Sequence, residues 1–314
     1  MFGKLMNQFY YGKSGKGDYR KEDLPQNRWQ LFMEMLKIRF SGLIRLNLMY
    51  ALAWLPALAI GLGAVMNGYG AMLAFGELEA AEQAVAILAL PEILKALTLN
   101  TLLWMIPCIA ITGPCTAGIA YVTRNWARDE HAFVWSDFRD ALKENWKQGL
   151  AVSAITALMP MILYVCWNFY GEMAAENALF IVPQMISCTL AVLWLCALLY
   201  LYPLMVTYRL RFKDLLRNGL LLTVSRLPMT VGLKLLSILP TIIAVAVAIV
   251  TPYLQWAILI YAVYYLIFGF SLSRFIGASY SNGVFDKYIN TKIEGAEVDR
   301  GLYRPEEDEE EKEF

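Results

Sequence analysis

Long stretches of apolar residues alternate with shorter polar ones along the chain, and the runs 46–66 and 235–251 carry no charge. A helix needs about 20 apolar residues to cross a hydrocarbon core about 30 Å thick. The pattern predicts six such helices, at 43–66, 96–123, 149–170, 179–202, 229–250 and 254–275. Pro56 falls inside the first and is tolerated there as a kink, because neighbouring helices can satisfy the freed backbone groups. The second is interrupted by Thr112-Gly113-Pro114-Cys115. Proline suits the first position of a new helix, so a break is predicted here, with pieces at 97–111 and 114–126.

The polar stretches divide into two kinds. Residues 67–95 hold Glu77, Glu79, Glu82 and Glu92 against Lys95, and read as an acidic connection with a short alanine-rich helix at 78–88. The links 171–178 and 251–253 are brief. By contrast, 124–147 and 208–226 are basic. In the first, Ser136 can cap a helix by accepting a free backbone amide. Phe138, Leu142 and Trp146 then recur every four residues, as on one face of an amphipathic helix. Arg209, Arg211, Lys213 and Arg217 make the second a basic amphipathic stretch.

The chain therefore reads as an arm (1–42), a six-helix membrane domain (43–275) and a polar tail (276–314). In the arm, the glycine-rich basic stretch 11–18 reads as a loop and lacks the spacing of a Walker A motif. Residues 27–39 then read as a helix whose face Trp29, Phe32, Met33 and Leu36 can lie among headgroups. The acidic end, 306–313, has the composition of a disordered segment.

Charge fixes the threading. Lysine and arginine concentrate in cytoplasmic loops. With six spans, the arm, the 124–147 and 208–226 loops and the tail share one side, and each carries several Lys or Arg. The three links on the other side hold one Lys and no Arg between them. Both termini are thus predicted inside. Trp54, Trp104, Trp126, Trp167, Tyr170 and Tyr202 fall mostly toward span ends, as an interfacial belt does.

Composition agrees: 58% of residues are hydrophobic and 17% charged, against about 45–50% and about 25% for soluble domains. The 27 basic and 27 acidic residues balance and give no sign of a nucleic-acid partner. The five cysteines all lie in apolar segments without a CxxC pair, and the chain has one histidine. No metal site, cofactor or disulfide framework is predicted. No cleavable signal peptide is visible in the first forty residues.

Ionisable residues inside spans mark function because their burial is costly. Lys234 is such a residue, and it lies close enough to a span end to snorkel. His131 stands alone in a cytoplasmic loop with no Ser or Cys nucleophile beside it, so no catalytic residue is assigned and the chain is not expected to be an enzyme. The Gly113–Pro114 break has two readings. Freed amides at membrane depth can face a polar ligand, or the small residues Cys115, Ala117, Gly118 and Ala120 can let helices approach closely. The cytoplasmic helices, through Phe138, Leu142, Trp146, Arg209, Arg211, Lys213 and Arg217, can dock a partner or lie on lipid.

The stretch 113–148, Gly-Pro-Cys-Thr-Ala through Tyr-Val, Arg-Asp-Glu, Ser-Asp-Phe and Lys-Glu-Asn-Trp-Lys-Gln, strongly resembles the YesL-like family of bacterial membrane proteins, a family of unknown function. Asp214-Leu-Leu-Arg-Asn-Gly-Leu-Leu-Leu, followed by Leu227-Pro228, resembles its second motif. The resemblance covers about residues 40–275. The 67–95 stretch and the long arm depart from the short family form and look like the longer variant of Gram-positive anaerobes. The resemblance implies a multi-pass protein of the bacterial cell membrane and supplies no catalytic residues. Family genes often lie beside sugar-binding proteins and sugar permeases, which implies an accessory role in carbohydrate uptake with ABC-type permease or ATPase subunits as partners. A stand-alone small-solute transporter or channel is the alternative, with Asn168 and Gln184 among the few polar groups available for a path.

Overall fold

The computed structural model describes residues 24–251 and 253–303. The glycine-rich stretch 11–18 and the acidic end 306–313 lie outside them. Among the described residues the fold is all-α, with no strand. Helix α1 spans Arg28–Ile38, α2 Phe40–Gly76, α3 Ala80–Ala110, α4 Thr112–Trp126, α5 Val134–Glu176, α6 Ile181–Thr207, α7 Phe212–Ser225, α8 Leu227–Val250, α9 Leu254–Tyr264 and α10 Phe270–Tyr288. A π-helical segment, Tyr265–Gly269, joins the last two. Six helical runs are long and apolar enough to cross a membrane, so the chain is a polytopic bundle.

Helix α6 is its axis. Leu198, Leu199, Tyr200, Leu201, Tyr202 and Leu204 are all buried, and they pack with Leu215 of α7 and Phe285 of α10. A second core joins the two ends of the chain: Leu31, Met35, Leu43, Leu46, Ile119, Val122, Trp126 and Phe275. Helix α3 lies on the perimeter and buries none of its span window. Leucines such as Leu52, Leu58 and Leu62 stay exposed within the protein, which is the surface that lipid tails cover.

Helices run further than their apolar stretches predict. The acidic connection is a helical hairpin: α2 continues to Gly76, α3 starts at Ala80, and Glu79 and Glu82 form a reciprocal capping box between them. The carboxylates satisfy amides that would otherwise be free at the helix start. Helix α5 is one 43-residue helix, so the segment 136–147 is a continuous extension of span three and not a separate helix. Its start is set by Asp137, which accepts the Phe133 amide at 2.8 Å, in place of Ser136. The last helix passes 275 and reaches Tyr288, burying Phe285, Asp286 and Asn282.

Helix α1 also differs from expectation. It buries Leu31 and Met35, stacks Phe32 on Phe275 at 5.3 Å, and is part of the bundle. Trp29 remains exposed.

The π segment has an identifiable cause. Insertion of one extra residue per turn leaves backbone groups out of register. Asn47 of α2, fully buried, donates to the carbonyls of Tyr265 and Leu266, both at 2.8 Å. Its side-chain oxygen accepts from the Ser271 amide.

Candidate functional site

The interruption between the two pieces falls at Ile111, so Gly113 and Pro114, where the sequence places the break, lie inside the first turn of α4. Helix α3 ends at Ala110 and α4 begins at Thr112. The joint is packed backbone to backbone: a Cβ at Gly113 would overlap the Gly149 carbonyl and the Ser153 hydroxyl, and one at Gly149 would sit 2.9 Å from the Gly113 oxygen. Ser153 donates to the carbonyl of Ala110, one of those that a helix end leaves free. Pro114 follows at the start of α4, where its missing N–H costs nothing. Gly113 and Pro114 thus make a close helix crossing, and small residues at such crossings let helices meet.

The docking candidates separate. Phe138 is buried against Gly118, where a Cβ would fall 2.8 Å from its ring, and Leu142 packs on the same core. Neither presents a surface to a partner. The four-residue period was real, but it faces α4. Trp146 is exposed, and so are Arg209, Arg211, Lys213 and Arg217.

Three of these exposed residues meet. Trp146, Arg209 and Arg211 line one open groove of about 630 Å³, with Lys147 and Glu144 on the same wall. The geometry follows from how α6 ends. Tyr208 leaves the helix in extended conformation. Gln148 of α5 then donates to the Leu210 carbonyl at 2.8 Å and pins the exit loop to α5. The basic side chains therefore stand on a fixed edge. Lys147 lies 5.6 Å from the Trp146 ring, and Lys213 and Arg217 continue the charge along exposed α7.

A polar network holds this floor. Tyr208 donates to Asn290 at 2.6 Å, Asn290 to Asp286, and Asp286 pairs with Arg28 at 2.6 Å. Arg28 also pairs with Asp299, and Tyr303 donates its amide to Pro25 at 2.9 Å. Both described ends therefore lie on one face. Burial, then the Asp286 charge, pushes the Tyr208 phenol up to about 12, so it stays a neutral donor. Beside it, Glu130 gathers Arg128 at 3.1 Å, Arg300 at 3.6 Å and Arg124 at 3.7 Å. Burial lowers the Arg124 guanidinium, and Glu130 opposes that shift.

Other predicted polar groups are absorbed by helices. Asn168 donates to Tyr164 and Gln184 to Trp167. His131 is exposed, with its ring edge-on to Phe133. Sequence reasoning missed Gln148, Tyr208, Asp286 and Asn290. Each is a single polar residue whose partner lies far along the chain, and no local spacing signals that.

Two comparisons bear on this region. Residues 97–167 match the family described as "Protein of unknown function, DUF624", in agreement with the YesL-like resemblance read from 113–148. The matched stretch contains the Gly113–Gly149 crossing, Phe138 and the α5 wall of the groove. The chain is also 32% identical over 127 residues to the uncharacterized protein YesV of Bacillus subtilis (strain 168); the match covers 39% of this chain and 58% of that protein. No solved structure matches.

Proposed function

We propose that the protein is a non-catalytic accessory component of a carbohydrate transport system of the ABC type in a bacterial cell membrane. It docks a cytoplasmic face of permease or ATPase subunits in the groove between α5 and the α6 exit loop. The observation that carries this reading is the meeting of Trp146 with Arg209 and Arg211 on one pinned edge. Aromatic and arginine side chains are the residues enriched at protein interfaces. An exposed tryptophan flanked by cations suits an acidic, partly apolar helix of a partner. The family resemblance adds the carbohydrate context.

Affinity isolation in mild detergent, from cells grown on different carbohydrates, tests the reading. Permease or ATPase subunits are expected to copurify, and the double charge reversal Arg209→Glu with Arg211→Glu is expected to release them while the protein itself stays in the membrane. Recovery of no transporter component on any sugar would overturn it. A second reading, a stand-alone small-solute transporter, draws support from the charged cavity inside the bundle. Solute flux into vesicles holding the purified protein alone would favour it.

A further inference from the structure

A small cavity of about 210 Å³ lies inside the bundle where α4, α6, α8 and the π segment meet α10, and Lys234 and Arg274 both line it. Lys234 sits two turns into α8 and Arg274 one turn into α10. Both are half-buried before any lipid is counted. Two cations at this depth repel each other, and burial of either is costly without a counter-charge.

Among the described residues, the elements that line the cavity supply none. Helices α4, α6, α8 and α9 and the π segment contain no Asp or Glu, and the single acid of α10, Asp286, is paired with Arg28. Among the described residues no carboxylate forms an ion pair with Lys234 or Arg274, and neither donates a hydrogen bond to the protein. Arg28, Arg124 and Arg128, also turned inward, each have an acid. What Arg274 does have is the Tyr202 ring, 5.5 Å from its guanidinium carbon. That contact orients the head group and leaves its N–H fork unused. Ser237 and Ser273 line the same space, and the Ser237 hydroxyl donates to the Leu233 carbonyl.

We propose that this cavity binds one phosphate group, with Arg274 contacting two oxygens, Lys234 neutralising the remaining charge and Ser273 donating. Arginine's planar fork matches phosphate oxygens in pairs, and lysine acts as a point charge. The group can come from solution or from a lipid headgroup. The second source has a place for acyl chains, because a groove of about 650 Å³ is lined by Leu233 and Leu236 of α8 and by Leu272 and Ile276 of α10, with Arg28, Arg226 and Lys287 also on its walls. The proposal is independent of the accessory reading and stands or falls alone.

The test uses the full-length protein in a phosphate-free maltoside detergent. Thermal unfolding is followed while inorganic phosphate is titrated against chloride at matched ionic strength, and in parallel while phosphatidylglycerol mixed micelles are titrated. Equilibrium dialysis with radiolabelled phosphate counts sites. If the source is solution, phosphate raises Tm and binds at one site per chain. If it is lipid, only phosphatidylglycerol raises Tm. In either case Lys234→Met and Arg274→Met abolish the response, and each raises the Tm of the ligand-free protein because an uncompensated charge is gone. Arg274→Lys keeps the charge, tests the fork, and is expected to weaken binding by about tenfold, the effect of losing one charge-assisted hydrogen bond. Absence of a response to both probes in the wild type overturns the proposal, as does a full response in the methionine variants.

Discussion

Asn47 on the first span and Ser271 on the last are joined by a 2.9 Å hydrogen bond from the Ser271 amide to the Asn47 side-chain oxygen. The other end of the same amide holds the carbonyls of Tyr265 and Leu266. One side chain therefore satisfies three backbone groups around the π segment. That segment supplies Tyr265 and Gly269 to the wall of the charged cavity.

Asn47→Leu is expected to destabilise the protein. It leaves two carbonyls and an amide without partners in an apolar setting, at about 1–3 kcal/mol for each buried group left unsatisfied, reduced where the helix can relax to an α register. A net loss of about 2–4 kcal/mol follows. Reversible unfolding in mixed micelles checks it, and a loss below about 0.5 kcal/mol, the range of an ordinary surface change, would show that Asn47 holds nothing.

Gly113→Ala and Gly68→Ala should move stability in opposite directions. At Gly113 the new methyl group meets the Gly149 backbone and Ser153, whereas at Gly68 nothing lies within 4 Å. Overpacking costs about 1–3 kcal/mol, and an open helical glycine gains about 0.5–1 kcal/mol on becoming alanine. The same unfolding measurement on both variants decides this.

Glu130→Gln should cost about 2–4 kcal/mol, because it leaves the well-buried Arg124 and Arg128 beside one another without their acid, while Arg300 keeps Glu297. A charge-neutralising partner change, Arg128→Gln in the same chain, is expected to recover part of the loss. A double-mutant cycle reads the coupling, and strict additivity would remove Glu130 from its central role.

The Tyr208 phenol gives a pH signature. Its proton is held more tightly in the folded chain, up to about 12 against the usual 10. A group whose folded value is raised stabilises below its unfolded value and loses that contribution as pH rises through the folded one. Tyr208→Phe, which lacks the bond to Asn290, is therefore less stable than wild type at neutral pH, and the gap closes between pH 10 and 12. A gap that stays constant across this window would show that the phenol does not titrate as described.

The spans were legible because burying backbone in lipid forces helix wherever about 20 apolar residues run together. Helix ends were not. Residues 67–95 read as an acidic connection with a short helix at 78–88, yet α2 runs on to Gly76 and a capping box starts α3 at Ala80, so the two meet with a three-residue turn. Phe138, Leu142 and Trp146 gave the right period, but a period cannot say which neighbour its face meets: α4 took Phe138 and Leu142, and Trp146 projects past it. Arg274 read as the end of the sixth span because a charge usually marks water, and only the continuation of α10 shows that it points back into the bundle. Asn47 carried no signal, since its partners are more than two hundred residues away.

The clasp between Arg28 and Asp286 sets an order of events during synthesis. Leu31, Met35 and Leu43 emerge from the ribosome more than two hundred residues before the Phe275 against which they pack. Until α10 is released, α1 and α2 must wait in the bilayer with an unfinished inner face. A chain that stops before 270 would insert but would never close.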